Sequence, residues 1–272
     1  MKKGTSRKLL CALLSAVITM GAVLFISSTL VNATICSHSY MSKFVETSCV
    51  SSYCYDVYNQ RIEVLAENSS IPIRVFEIAQ EIDGYSESAI DRFFNGSDTT
   101  IYTNERIDTY EAMIKEYLDG NNISYNETAV RNTAVKAAEI YSDSFGLKNI
   151  DSLRLFVNNA KASYGRLSSF GLMLIFVPVL LIFALFKTKK KAVDYYLTSS
   201  AATGITMIFV SAISLIAGVG KHISITPIVY QDALFTAINV MFVIALVLGV
   251  IITSVSITLA YKLAAKNAKK DD

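Results

Sequence analysis

The chain has 272 residues, of which 52% are hydrophobic, and its 25 basic and 23 acidic side chains leave a formal charge of only +2. A mean hydropathy of +0.41 puts it with membrane proteins. The small net charge hides a segregation: residues 34–166 carry 12 Lys/Arg against 19 Asp/Glu, a net −7, and nearly all other basic residues fall in three clusters. Basic charge so placed reads as membrane orientation and anionic-lipid contact, and excludes a nucleic-acid partner.

Residues 1–8 hold the first cluster, Lys2, Lys3, Arg7 and Lys8, and are expected in the cytoplasm. The run Leu9–Val31 follows without a charge. A bilayer core about 30 Å thick needs about 20 apolar residues at 1.5 Å each, so residues 9–32 are predicted to span it. Val31-Asn32-Ala33 resembles a signal-peptide cleavage site. Secretory apolar cores run only about 7–15 residues, however, and an uncleaved signal-anchor is expected.

Residues 33–166 are predicted to form a helical extracytoplasmic domain. Met41, Val45, Cys49, Tyr53 and Val57 step by four, with Val50, Cys54, Arg61 and Leu65 on a neighbouring stripe, which predicts one helix over Tyr40–Asn68. Ser70 with Pro72 starts a helix near Ile71–Ile82, since proline suits a first turn. Ser86 opens another that Asn95-Gly96 stops. Thr103 caps a helix ending at Gly120, with Ile107, Tyr110, Met113, Ile114 and Tyr117 on one face. Ser124-Tyr125-Asn126-Glu127 fits a capping box. Val130, Ala134, Ala137, Ala138 and Tyr141 line the helix after it, and Gly146 is expected as its left-handed stop. A last helix begins at Asp151 and is expected to continue into the second span, with Leu153, Phe156, Val157, Ala160 and Tyr164 as its apolar stripe. The best strand candidate is only Thr99–Tyr102.

Three further spans follow: residues 167–186, a basic cytoplasmic loop 187–193, residues 194–219, an outer loop 220–232, residues 233–261, and a cytoplasmic tail 262–272. Lys187, Lys189, Lys190 and Lys191 face the same side as Lys262, Lys266, Lys269 and Lys270 under the positive-inside rule. Tyr164, Phe170, Phe186, Tyr195, Tyr196, Tyr230 and Tyr261 fall at the predicted interfaces. Pro178 invites a kink in the second span, and Asp194 sits near the inner lysines. Ser200/Gly204 and Gly249/Thr253 are small-xxx-small pairs that let helices approach closely. The third and fourth spans also carry Ser199, Thr203, Thr206, Ser211, Ser214, Asn239, Ser254, Ser256 and Thr258, read as packing positions and not as a transport path.

Chemistry-bearing groups are few. Cys36, Cys49 and Cys54 lie in the predicted outer segment, where disulfides are permitted, and three is odd. An unbroken helix keeps Cys49 and Cys54 apart, so a bridge there requires a break. Cys36-Ser37-His38 with Cys49, Cys54 and His222 matches no zinc spacing. Glu77, Glu81, Asp83, Glu87 and Asp91 read as a solvated helix face. No phosphate loop, nucleophile elbow or zincin motif occurs. The sequons at Asn32, Asn68, Asn95, Asn122 and Asn126 matter only in a eukaryote, and the lysine-rich start looks bacterial.

The expected fold class is all-α: four transmembrane helices with a helical extracytoplasmic domain inserted between helices 1 and 2. The expected protein is a non-enzymatic, multi-pass plasma-membrane protein with both termini cytoplasmic, no cofactor, no metal and no catalytic residue. Its acidic outer domain is expected to bind a protein partner or envelope component, with the lipid bilayer as its other partner; the sequence sets no oligomeric state. The order of one span, a large outer domain and three spans is similar to that of bacterial permease subunits driven by a separate ATPase, and a permease-like or transport-accessory role is the alternative. Claudin-type four-span proteins share the topology, but their tryptophan signature is impossible in a chain without Trp.

Overall fold

The computed structural model describes residues 3–76, 89–101, 104–186, 189–222 and 224–271. These residues are helical throughout: α1 (Lys3–Ala33), α2 (His38–Thr47), α3 (Val50–Ser69), α4 (Asn104–Gly120), α5 (Glu127–Phe145), α6 (Asp151–Leu185), α7 (Lys189–Ala217) and α8 (Ile228–Asp271). Among the described residues no strand forms; Lys148 and Thr226 make an isolated antiparallel bridge, and 99–101 do not pair as a strand. Four helices are long and apolar enough to cross a membrane, over Ser6–Ala33, Asp151–Leu185, Lys191–Ala217 and Ile228–Lys266.

The chain divides into two compact units. The span unit holds Met1–Cys36, Val157–Val219 and Ile238–Asp272; the head unit holds Ser37–Phe156 and Gly220–Ala237. Residues 220–237 thus belong to the head unit's fold. Lys148 and Thr226 exchange backbone hydrogen bonds of 2.9 and 3.3 Å, and Ile225, Tyr230 and Leu234 are buried.

The single helix expected over Tyr40–Asn68 is two helices. Cys49 takes a left-handed conformation (φ 51°, ψ 33°) and ends the first helical path. The burial pattern gives the reason. Met41 and Val45 are buried on α2, but from Val50 onward the buried stripe is Val50, Cys54, Tyr58, Ile62 and Ala66. These two stripes are out of phase by one residue, so a straight helix would have put Cys49 and Tyr53 inside; Tyr53 is instead 42% exposed. The left-handed residue absorbs the phase change.

Two helix ends also differ from expectation. Ser124 does not cap α5. Asn126 does, its side-chain oxygen accepting the N–H of Thr128 and of Ala129, so the cap lies two residues further on and, with Ala129 at the third helical position, is not a capping box. Gly146 is not left-handed either, but extended (φ −77°, ψ 143°). It is needed for closeness: a methyl group there would meet the Thr100 carbonyl oxygen and lie 2.6 Å from that of Ser142. The predicted α5 face (Val130, Ala134, Ala137, Ala138, Tyr141) is buried throughout. Ile73–Phe76 forms a 3-10 turn where the helix from Ile71 was expected; its continuation to Ile82, and the starts at Ser86 and Thr103, lie outside the described residues. α6 does continue unbroken from Asp151 to Leu185, through the buried Pro178.

Candidate functional site

The head unit is built on tyrosines. Tyr58, Tyr110 and Tyr141 with Phe76 and Phe145 are its largest fully buried side chains. The Tyr58 hydroxyl donates to the Phe76 carbonyl at 2.7 Å and shares a 2.8 Å bond with the Tyr110 hydroxyl. Burial pushes the Tyr58 phenol far above its ordinary range, so it stays a neutral donor. The Arg106 guanidinium lies 4.3 Å from the centre of the Tyr141 ring. Rings at such spacings interlock as packing, and every polar tip named is bonded within the core.

A set of ionic contacts in the head unit ties α4 to α5. Glu111 accepts from Lys115 at 2.9 Å, the i,i+4 pair expected from the sequence, and from Arg131 at 2.5 Å; Lys115 also reaches Glu127 at 2.6 Å. Hydrogen bonds from Lys115 and then Arg131 hold the Glu111 carboxyl below its ordinary value. Asp98 is held low as well, chiefly by the Thr100 backbone N–H and then by the Thr100 hydroxyl, each at 2.9 Å.

His38 on α2 meets Asp91, and its Nε2 also lies 3.4 Å from the Ser42 hydroxyl. Serine, histidine and aspartate together invite comparison with a nucleophilic relay, but both partners address the same ring nitrogen. A relay needs the acid on the other nitrogen, so this geometry pins α2 to the 89–94 segment and does no proton transfer of that kind. Of the acidic stretch, only Asp91 lies among the described residues. All four cysteines are free thiols. Cys36 and Cys54 are buried as small core residues, and burial pushes the Cys54 thiol up to about 12, which keeps it protonated and inert. Cys49, at the helix break, is exposed. Among the described residues no three His, Cys, Asp or Glu side chains gather as a metal site. The head unit also holds a cavity of about 30 Å³ among Met41, Val45, Phe93, Ile150, Ile225 and Tyr230, entirely apolar and about one water in size.

The span unit packs on a different principle. Gly204 of α7 faces Gly249 of α8: a methyl group at 204 would lie 2.6 Å from the Gly249 carbonyl oxygen, and one at 249 would lie 2.7 Å from that of Gly204. Gly21 of α1 and Gly171 of α6 cross in the same way, with 2.8 and 2.9 Å to each other's carbonyl oxygens. The two small-xxx-small pairs read from the sequence therefore meet each other. The Gly21–Gly171 crossing was not read, because neither glycine has a small partner four residues away.

Hydroxyls complete these contacts. Ser15 and Thr19 of α1 donate to the Tyr195 and Ser199 carbonyls of α7 at 3.4 and 3.2 Å. Ser256 and Ser200 share a 2.8 Å bond between α8 and α7, and Tyr196 donates to the Val179 carbonyl at 2.8 Å. Where the four helices come together they leave a half-open cavity of about 320 Å³. It is lined by Ile18 and Ile26 of α1, Ile175 and Val179 of α6, Tyr196, Ser200 and Thr203 of α7, and Ile252 of α8, beside Ala22.

No family model, curated protein or solved structure matches the chain. Among the described residues the head unit offers packing, capping and ion-pair chemistry, and the span unit offers helix crossings around a sizeable cavity.

Proposed function

We propose that the chain is a non-enzymatic, multi-pass protein of a bacterial plasma membrane, anchored by an uncleaved first span. Both termini lie in the cytoplasm, and the inserted head is extracytoplasmic, where its acidic surface binds a protein partner or a basic envelope component. One observation carries the reading: the charges are sorted by segment, with lysine clusters at one set of helix ends and a net −7 over residues 34–166. The head unit supports it further, because among the described residues its carboxylates and arginines sit outside a closed tyrosine core.

The test uses the cysteine that the fold leaves exposed. A membrane-impermeant maleimide added to intact cells should label Cys49 of the wild-type chain. A cysteine placed by Lys191→Cys in a Cys49→Ser background should label only after permeabilisation. Labelling of the second and not the first would invert the topology and end the proposal of an outer binding domain.

The second reading, a permease-like or transport-accessory subunit, is favoured by α6, which carries residues of both units on one unbroken helix. Recovery of an ATP-binding-cassette ATPase with the detergent-solubilised chain would select it. Recovery of an envelope protein through the head, with no ATPase, would select the first.

A further inference from the structure

The cavity among the four long helices has three properties that together name an occupant. Its polar lining is already bonded: Tyr196 to the Val179 carbonyl, Thr203 to the Ser199 carbonyl at 2.9 Å, and Ser200 to Ser256. These hydroxyls already hold partners, and the rest of the lining is isoleucine, valine and alanine, so the space favours an apolar occupant over water. Its volume, about 320 Å³, is roughly twice that of a cavity of about 150 Å³ known to take a benzene ring. Because it is half-open, a flexible chain can enter it.

The third property is charge at one end. The α1–α7 hydrogen bonds pair residue 15 with 195 and 19 with 199, so the two helices run side by side with Arg7, Lys8 and Lys191 toward the same end. The Arg7 guanidinium is laid over the Phe186 ring at 4.7 Å, and Phe186 stacks on Tyr195 at 5.5 Å. Among the described residues Arg7 has no carboxylate partner. A guanidinium held in place with its donor edge unspent fits a phosphate. Along the helices Ile18 lies about 16 Å from Arg7, and Tyr196 lies about 8 Å from Lys191, at 1.5 Å per residue. Half a bilayer core is about 15 Å deep, so a lipid whose phosphate rests at Arg7 and Lys8 brings the end of its acyl chain to the near end of the cavity, at Ile18 and Tyr196.

We propose that the span unit is a phospholipid-binding site: one acyl chain of an anionic phospholipid occupies this cavity, and Arg7 and Lys8 bind its phosphate. The proposal rests on the reading that these helices lie in a bilayer. Recovery of the chain in the membrane fraction tests that reading separately.

The full-length chain is purified from mixed micelles containing equal phosphatidylglycerol and phosphatidylcholine, and retained lipid is counted by native mass spectrometry. One phosphatidylglycerol per chain is expected. Ala22→Phe, which fills the cavity, should cut its retention by about tenfold, and Arg7→Gln should abolish the preference for phosphatidylglycerol while leaving a lipid bound. A wild-type chain that retains no lipid, retains both lipids equally, or keeps its lipid in Ala22→Phe overturns the site. If Ala22→Phe does not fold, a phosphatidylglycerol carrying a photoreactive group in mid-chain decides on the wild type. Crosslinks at Ile175–Val179 or Ile18–Ile26 support the proposal. Crosslinks confined to the exposed face of α8, at Val247, Val250, Ile251 or Val255, or found only between two copies of the chain, refute it.

Discussion

The two units differ in the largest side chains they bury. In the head unit the interior is large and aromatic: Tyr58, Tyr110, Tyr141, Phe76 and Phe145 are all at most 1% exposed. In the span unit no aromatic ring is fully buried among the described residues: Ser199, Thr203, Ser211 and Ser256 share the interior with Ile18, Ile182, Met207 and Met241, while Phe176, Leu180, Phe209, Ile213 and Val255 face outward. Only 17–22% of each candidate span's most apolar window is buried. The contrast follows from the solvent. In water, moving a ring inside is favourable, so the largest apolar groups collect in the core. In lipid the outside is as apolar as leucine, that driving force vanishes, and close approach with interhelical hydrogen bonds takes its place.

Substitutions can break or sharpen this contrast. The largest effect is expected for Tyr58→Ala, which empties the head-unit core and removes the donor to the Phe76 carbonyl. A loss of about 3–5 kcal/mol is expected, read as a lowered unfolding midpoint by far-UV dichroism in detergent. Tyr58→Phe keeps the ring and should cost less, about 1–3 kcal/mol, through the unpaired polar groups left behind. If Tyr58→Ala costs no more than a span hydroxyl, the head unit is not held by its aromatic core and the contrast fails.

Next comes Gly204→Leu, which adds bulk where α7 and α8 backbones touch. It should cost about 1–3 kcal/mol and broaden the monodisperse peak in size-exclusion chromatography. An equally folded Gly204→Leu would show that the crossing is not close. Asn126→Ala should lose about 1 kcal/mol from the cap of α5, seen as faster amide exchange over residues 127–130. Ser256→Ala should lose only about 0.6 kcal/mol in a thermal melt, since a hydroxyl in lipid loses one modest hydrogen bond.

The smallest effect is acid sensitivity of the head unit. Asp98 and Glu111 are held below their ordinary values of 3.8 and 4.5. A depressed carboxylate stabilises the fold above its ordinary value, and that contribution is lost as pH falls through the folded value. The melting temperature should therefore decline below pH 4.5. Asp98→Asn with Glu111→Gln should flatten that decline, and an unchanged slope would show that the declining stability comes from other carboxylates.

Much of this fold was legible, residue by residue. Charge-free runs marked the four long helices because a bilayer core sets both their length and their composition. The face of α5 was legible throughout because its apolar residues keep a helical period, and that of α4 in part: Ile107, Tyr110 and Ile114 are buried, but Leu118 is buried in place of Met113 and Tyr117. The break at Cys49 was missed although the signal existed: the buried stripe slips by one residue between Val45 and Val50. Stepping by four from Met41 reaches Cys49 and Tyr53, which are apolar enough to hide the slip. Asn126 was missed as the cap because Ser124 and Glu127 satisfy the same local pattern, and only the path of the preceding loop chooses between them. The cavity was not legible at all, since its lining comes from four separate helices.

What the amino-acid sequence determined by itself was local: helix, apolar span, charge sorting and small-residue pairs, each set by neighbours within a few turns. Only the tertiary structure decided that Gly204 meets Gly249 and Gly21 meets Gly171, that residues 220–237 complete the head unit, and that Tyr58 finds both the Phe76 carbonyl and the Tyr110 hydroxyl. Those outcomes depend on the distance and angle between elements far apart in the chain. Periodicity states which face of a helix is buried, but not which other face it is buried against.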